Sequence, residues 1–242
     1  MPSKRATGAK PLRTREPQYQ RTIDIAQEKG LTTLGLMTNQ VWEDDPRHLL
    51  FTLSRYKFVA KMLSGKGHVL EIGCADAFGT RLVLQEVKRL TATDFDETFV
   101  DDVLRRMDTR WKFDCRQHDL IAAPFRETFD AAYAMDVIEH IPAERENVFL
   151  DNIVKSLAPE GVLILGSPSL ESQTHASPPS KEGHVNCKTG KGLRALMERF
   201  FHNVFLFSMN DEVIHTGFSP MAHYLIAIGC THRKFAPLQE IS

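Results

Sequence analysis

Two carboxylates and an imidazole fall within five residues in Asp136-Val-Ile-Glu139-His140, directly after the apolar run 129–135. A buried strand ending this way delivers its polar residues to the carboxyl edge of an open α/β sheet, where ligands of that fold class bind. A carboxylate beside an imidazole can orient an acceptor group and move a proton near neutral pH. Asp136 and His140, four apart, could also share a divalent cation if the segment is helical, although no metal site is assigned. A second set lies earlier, in Val69-Leu-Glu71-Ile-Gly73-Cys-Ala75-Asp-Ala77-Phe-Gly79. Its glycines let backbone approach a ligand closely, and Glu71 puts a carboxylate at the mouth of the strand. Asp94 follows Gly73 by 21 residues. At roughly that spacing, in a dinucleotide fold, a second-strand acid meets a ribose and accepts hydrogen bonds from both hydroxyls.

The elements that position these residues read as alternating strands and helices. Val69, Leu70 and Ile72 form a short buried strand feeding a small-residue turn and an amphipathic segment over 80–87. Strands follow at 90–94, 111–115, 129–135 and 162–168, with helices expected over 97–107 and 143–157. The polar stretch 169–192, with Pro178, Pro179, Gly183, Gly190 and Gly192, reads as a long loop of the kind that walls a substrate site. A helix over 193–200 and strands at 204–209 and 221–228 close the chain, with 210–217 between them as another substrate loop. Upstream, 19–27 is weakly amphipathic and stops at Gly30, and Asp45-Pro46 caps a long helix reaching Leu63.

In this order the segments from Val69 to Pro168 resemble the class I S-adenosylmethionine-dependent methyltransferases, in particular the small-molecule branch grouped as types 11, 12 and 23. Glu71-Ile72-Gly73-Cys74-Ala75-Asp76-Ala77 resembles motif I, acidic-x-Gly-x-Gly-x-Gly, with alanines at the second and third glycine positions. The run from Asp136 to His140 resembles the Asp-x-x-Glu-His that follows strand four in many of these enzymes. Leu157-Ala-Pro-Glu-Gly161 is similar to the turn before strand five. The resemblance implies an α/β fold: a Rossmann-like, doubly wound, seven-stranded, mostly parallel sheet with the last strand antiparallel, plus an N-terminal helical extension. It divides the chain into a disordered basic arm (1–17), a helical lid (18–64) and a methyltransferase domain (65–235). The implied cofactor is S-adenosyl-L-methionine, held by Glu71, Gly73, Cys74, Ala75, Gly79, Asp94, Phe95, Asp119, Leu120 and Asp136. In that assignment Asp94 takes the ribose, Phe95 covers the adenine and Asp119 faces the adenine amino group. Trp42, Arg55 and Tyr56 are candidates to line the lid.

The chemistry implied is in-line methyl transfer to a hydroxyl or amine of a small metabolite such as a sugar or a natural-product intermediate. A histidine would act as general base. Glu182-Gly-His184-Val-Asn186 resembles the segment these enzymes place beside the methyl group, so His184 ranks first, then His140 and His215, with Asp136 or Glu139 orienting. Two other readings use the same residues: a non-catalytic nucleotide-binding module, and a nicotinamide oxidoreductase, which the spacing Gly73-x-Ala75-x-x-x-Gly79 fits poorly.

Composition bounds the partners. A formal net charge of -1 gives no global attraction to a polyanion, and outside the arm bearing Lys4, Arg5, Lys10, Arg13 and Arg15 no basic stripe is evident, so no nucleic acid is expected. Cys74, Cys115, Cys187 and Cys230 form no C-x-x-C pair, and no run approaches the roughly 20 apolar residues of a membrane span. A cytoplasmic protein without a membrane partner is expected, with its oligomeric state, a homodimer included, left open.

Overall fold

The computed structural model describes residues 12–233. The chain divides into two compact units, Met1–Leu34 and Gly35–Ser242. In the first unit a 3-10 turn, Pro17–Tyr19, leads into helix α1, Gln20–Lys29, and Gly30 ends the helix at φ +77°. Residues 1–11 of the expected basic arm lie outside the described residues.

The second unit begins with α2 (Leu36–Asp44) and α3 (Arg47–Met62). Asp45 Oδ1 accepts from Arg47 N at 3.2 Å, one residue ahead of Pro46, which holds the N-cap position of α3 in place of the expected Asp45. There follow β1 (His68–Ile72), α4 (Thr80–Leu84), β2 (Arg89–Asp94), α5 (Glu97–Arg106), β3 (Asp114–Gln117) and β4 (Phe129–Met135). The chain continues through α6 (Glu146–Lys155), β5 (Leu157–Pro168), α7 (Pro178–Gly183), α8 (Gly190–Glu198), β6 (Phe201–Asn210), β7 (Val213–His215) and β8 (Tyr224–His232). The strands make one sheet in the order β3-β2-β1-β4-β5-β8-β6-β7. β1 to β5 are mutually parallel, and β8 enters antiparallel between β5 and β6.

The expected doubly wound sheet is present, with eight strands rather than seven. The extra strand, β7, pairs antiparallel with β6 through Ser208↔His215, Met209↔Ile214 and Asn210↔Val213. The segment read as a substrate loop is therefore a hairpin edge; its two-residue turn, Asp211-Glu212, leaves too few apolar residues to show as a strand. The stretch read as a long loop after β5 is also partly ordered, into a 3-10 turn, Glu171–His175, and α7. Ser177, which accepts from Ser180 N, caps α7 ahead of two prolines in its first turn.

Side-chain alternation along the strands builds two apolar layers. Val69, Tyr133, Ile164 and Ile226 face Tyr56, Val59, Val83 and Val100 on one side of the sheet. Leu70, Ala132, Leu163 and Leu225 face Phe149, Leu150, Leu193 and Met197 on the other. From β1 the chain winds outward to β2 and β3 and then returns to β4 on β1's other side, so the strand order reverses between β1 and β4. In this fold class the crevice at the carboxyl ends of such a pair is where a ligand sits.

Candidate functional site at the β1–β4 switch point

The loop after β1 is held open by hydrogen bonds that its own small residues permit. Gly73 adopts φ +69°, and a Cβ there would lie 2.4 Å from Val137 Cγ2, so the loops after β1 and β4 touch only because residue 73 has no side chain. Ala75 and Ala77 also take left-handed conformations, φ 45° and 54°, although each alanine costs about 1–2 kcal/mol there. The loop keeps the glycine-type path because tertiary bonds hold it: Cys74 N donates to Thr93 O (2.9 Å), Ala77 N to Cys74 O (2.7 Å) and Ala75 N to Asp94 Oδ2 (2.9 Å). Asp94 Oδ1 accepts from Asp96 N at 3.0 Å. Each Asp94 oxygen thus spends one acceptor position on backbone and keeps another.

Phe95, next in sequence, is 72% exposed despite being aromatic, which leaves a ring face free beside Asp94. Asp119 uses Oδ1 to accept from Ile121 N at 2.7 Å and caps its own turn. Its other oxygen accepts no hydrogen bond among the described residues, whereas the Leu120 side chain is core. Leu120 therefore has only backbone to offer a cofactor.

Three further expected cofactor residues are engaged within the protein through their side chains or close packing. Glu71 is 1% exposed, with Oε1 accepting from Tyr56 Oη (2.7 Å) and Oε2 from Thr80 Oγ1 (2.6 Å), so it lies beneath the loop and not at its mouth. The Cys74 side chain is buried in the core layer under α3 to α5. Gly79 abuts the Tyr56 ring, where a Cβ would come within 2.3 Å. Burial raises the Glu71 carboxyl to about 7, against the lowering effect of its hydrogen bonds from Thr80 and Tyr56. A pKa above the unfolded value of 4.5 means that the folded protein binds this proton more tightly, so the stabilisation is complete below about 4.5 and is lost as pH rises through about 7. Glu71→Gln should flatten that slope, worth on the order of 3 kcal/mol at about 1.4 kcal/mol per unit, in urea unfolding followed from pH 5 to 8. An unchanged slope would place the titration elsewhere.

The first helices grip both loops. Asp76 accepts from Thr38 N (2.6 Å) and Thr38 Oγ1 (3.1 Å), and Gly35 packs so closely on Asp76 that no side chain would fit. Arg55 Nη1, on α3, donates to both oxygens of Asp136 at 3.0 and 2.8 Å, and its guanidinium carbon lies 3.7 Å from the Tyr224 ring centroid. Asp136 is itself left-handed, φ 57°, with its N–H donating to Tyr224 Oη at 3.2 Å. Asp76, Thr38 and Tyr224 carried no signal in the sequence, because each acts through a partner 38 or more residues away. Trp42 is 56% exposed and joins none of these contacts.

Past β4, Ile138–His140 is a 3-10 turn and not an α-helix, so the helical pairing of Asp136 with His140 does not form. Instead His140 meets His184, with ring centroids 5.1 Å apart, and donor atoms of Glu139, His140 and His184 lie within 4.8 Å of one another. The segment carrying His184 is stitched to this turn: Asn186 N donates to Glu139 O (2.9 Å), Asn186 Nδ2 to Ile141 O (2.9 Å), and Lys188 Nζ to Glu146 (2.7 Å). Burial and the neighbouring His140 hold His184 below the ordinary imidazole range, against the pull of Asp136, so its neutral form is favoured near pH 7. Burial and then Asp136 push the Glu139 carboxyl well above its usual range. His215 lies apart, on β7, bonded to Asn210 Oδ1 and Gly217 N. That edge is four strands from β4, about 19 Å at the usual strand spacing, so His215 drops out of the site.

The same architecture occurs in known proteins. Residues 70–165 match the family model described as a methyltransferase domain. A probable S-adenosylmethionine-dependent methyltransferase of Mycolicibacterium smegmatis is 28% identical over 115 residues, 47% of this chain and 42% of that protein, so the chain matches less than half of this curated relative. Among solved structures, the N-methyltransferase NodS of Bradyrhizobium japonicum, in complex with S-adenosyl-L-homocysteine, aligns with a TM-score of 0.56 and 22% identity, over 78% of this chain and 89% of that one. The methyltransferase domain of bacterial CtHen1-C aligns with a TM-score of 0.62 and 17% identity, over 74% and 98%. At these identities the structural likeness establishes the fold.

Proposed function

We propose that residues 70–165, which match the methyltransferase-domain model, form a class I S-adenosylmethionine-dependent methyltransferase domain, and that the protein binds S-adenosylmethionine and transfers its methyl group to a hydroxyl or amine of a small metabolite, such as a sugar or a natural-product intermediate. The observation that carries this reading is the bond from Ala75 N to Asp94 Oδ2 across the switch point, which keeps the loop in its glycine-type path with alanines in place. Asp94 would take the two ribose hydroxyls, Phe95 would cover the adenine, and the free oxygen of Asp119 would face its amino group. The backbone of Gly73 and Ala75 would run beside the methionyl part.

The acceptor belongs over Asp136, Glu139, His140 and His184. Methyl transfer is an in-line displacement: a lone pair on the acceptor forms the new bond to carbon as the carbon–sulfur bond breaks, and its electrons neutralise the sulfonium. The protein's share is to position the acceptor and exclude water. A proton leaving the acceptor would pass to the neutral imidazole of His184, with His140 as the second choice and Asp136 orienting. A net charge of -1 and the mixed charges around the site favour a small acceptor over nucleic acid.

Thermal unfolding with S-adenosylhomocysteine, and separately with NAD, tests the cofactor. At 100 times its dissociation constant a ligand stabilises by about 2.7 kcal/mol, and a shift is expected with S-adenosylhomocysteine alone. A shift with NAD alone would make the chain an oxidoreductase. With neither, the fold serves some other binding role.

A further inference from the structure

Glu139 is 0% exposed, and neither carboxyl oxygen makes a hydrogen bond of normal geometry among the described residues, although the Ser167 hydroxyl is near enough to favour its charged form. Arg55, the positive group that favours its charged form, is committed to Asp136. Burying a carboxyl without a close partner costs free energy, and such a group in a native structure points to a function.

The two histidines beside it are set up in a complementary way. His140 Nδ1 lies 2.9 Å from Gly183 O, and a carbonyl can only accept, so Nδ1 carries the proton. His184 Nδ1 lies 2.9 Å from Gln173 Oε1. The Gln173 amide is itself oriented, because its nitrogen donates to Ser169 O (3.3 Å) and Ser172 Oγ (3.4 Å), which leaves the oxygen for His184. With Nδ1–H fixed by an outer oxygen, the tautomer available to each ring as a ligand carries its lone pair on Nε2, the arrangement that orients histidines around a metal.

We propose that Glu139, His140 and His184 bind one divalent transition-metal ion, of the Mn²⁺, Fe²⁺, Co²⁺ or Zn²⁺ class. Two imidazoles and one carboxylate suit these ions, whereas Ca²⁺ and Mg²⁺ prefer all-oxygen shells. Metal–ligand bonds of about 2.0–2.2 Å bring neighbouring donors to about 3–3.5 Å. The three donors, now within 4.8 Å of one another, would close by up to about 1.3–1.8 Å. Three protein ligands leave coordination positions open for the acceptor.

This inference rests on the cluster being the acceptor site of the proposed methyltransferase, and it deepens that reading. An acceptor oxygen bound to the ion has a lowered pKa and loses its proton to water. The resulting oxyanion attacks the methyl carbon, and the carbon–sulfur bond breaks to give the methyl ether and the neutral thioether. A bound ion thus selects hydroxyl over amine acceptors, and it makes His184 a ligand where a metal-free site would use it as the base.

The test is Mn²⁺ titration of the chelator-treated full chain, read by loss of the free-ion electron paramagnetic resonance signal. Separate thermal shifts with S-adenosylhomocysteine would be run on the same samples. One Mn²⁺ per chain is expected. Glu139→Gln and His184→Ala should each weaken its binding at least tenfold while keeping the S-adenosylhomocysteine shift. His140→Ala, at an exposed position with little packing to lose, provides a third variant should either of the others unfold. No Mn²⁺ binding by the wild type, or binding that all folded variants retain, would overturn the site and return His184 to the role of free base. The cofactor shift is read independently, so failure of the metal site leaves the cofactor reading standing.

Discussion

Asp94→Ala should remove most of the stabilisation that S-adenosylhomocysteine gives. In the wild type each Asp94 oxygen retains acceptor capacity after bonding Ala75 N or Asp96 N. Two charge-assisted hydrogen bonds to ribose hydroxyls, at about 1.5–3 kcal/mol each, correspond to a loss of at least 100-fold in affinity. At a ligand concentration 100 times the wild-type dissociation constant, stabilisation would fall from about 2.7 kcal/mol to about 0.4 kcal/mol. The loop itself adds to the loss, since Ala75 is held in a left-handed conformation by the same carboxylate. A variant that folds and keeps the full shift would move the adenosyl group away from β2. The measurement reads binding and not turnover, so it needs no knowledge of the acceptor.

The second large effect is expected at Arg55. Arg55→Met keeps much of the aliphatic stem but removes both bonds to Asp136 and the stack on Tyr224. Charge-assisted bonds and a desolvated cation–π contact together suggest about 2–4 kcal/mol, at the lower end because the Asp136 side chain is 40% exposed and can rehydrate. For a chain of this size that lowers the midpoint by roughly 5–10 °C. Arg47→Met is the matched control, since Arg47 pairs with Asp45 at a side-chain exposure of 79% and should cost little. Adding Asp136→Asn to each variant isolates the pair: coupling is expected for Arg55 and none for Arg47. Equal losses from the two arginines would mean that α3 is not tied to the β4 loop through this contact. The tie matters because Asp136 sits at φ 57°, a conformation that local preference does not supply.

What the sequence determined is what near neighbours and periodicity encode. Apolar runs such as Val69–Ile72 and Phe129–Met135 announce buried strands, small residues after β1 announce a close backbone approach, and the 21-residue interval places Asp94 at the end of β2. The polar run from Asp136 to His140 is legible at the carboxyl end of β4 for the same reason. Each of these features depends on backbone geometry repeated over a few residues, which composition and spacing report directly. β7 escaped because three residues are too few to establish a period.

Only the tertiary structure decided which carboxylates have both oxygens occupied by side chains and which keep acceptor positions open. Glu71 and Asp94 both end strands beside the same loop and both are buried, yet Tyr56 and Thr80 hydroxyls occupy the two oxygens of Glu71, while Asp94 accepts only from the backbone N–H groups of Ala75 and Asp96. The alanines at 75 and 77 read as poor substitutes for glycine, but bonds to Asp94 and Cys74 enforce the conformations they resist. His184 reaches His140 across 44 residues because Asn186 is bonded to the turn at Glu139 and Ile141. Such contacts are set by packing between distant segments, whose energies exceed local preference and leave no periodic trace in the chain.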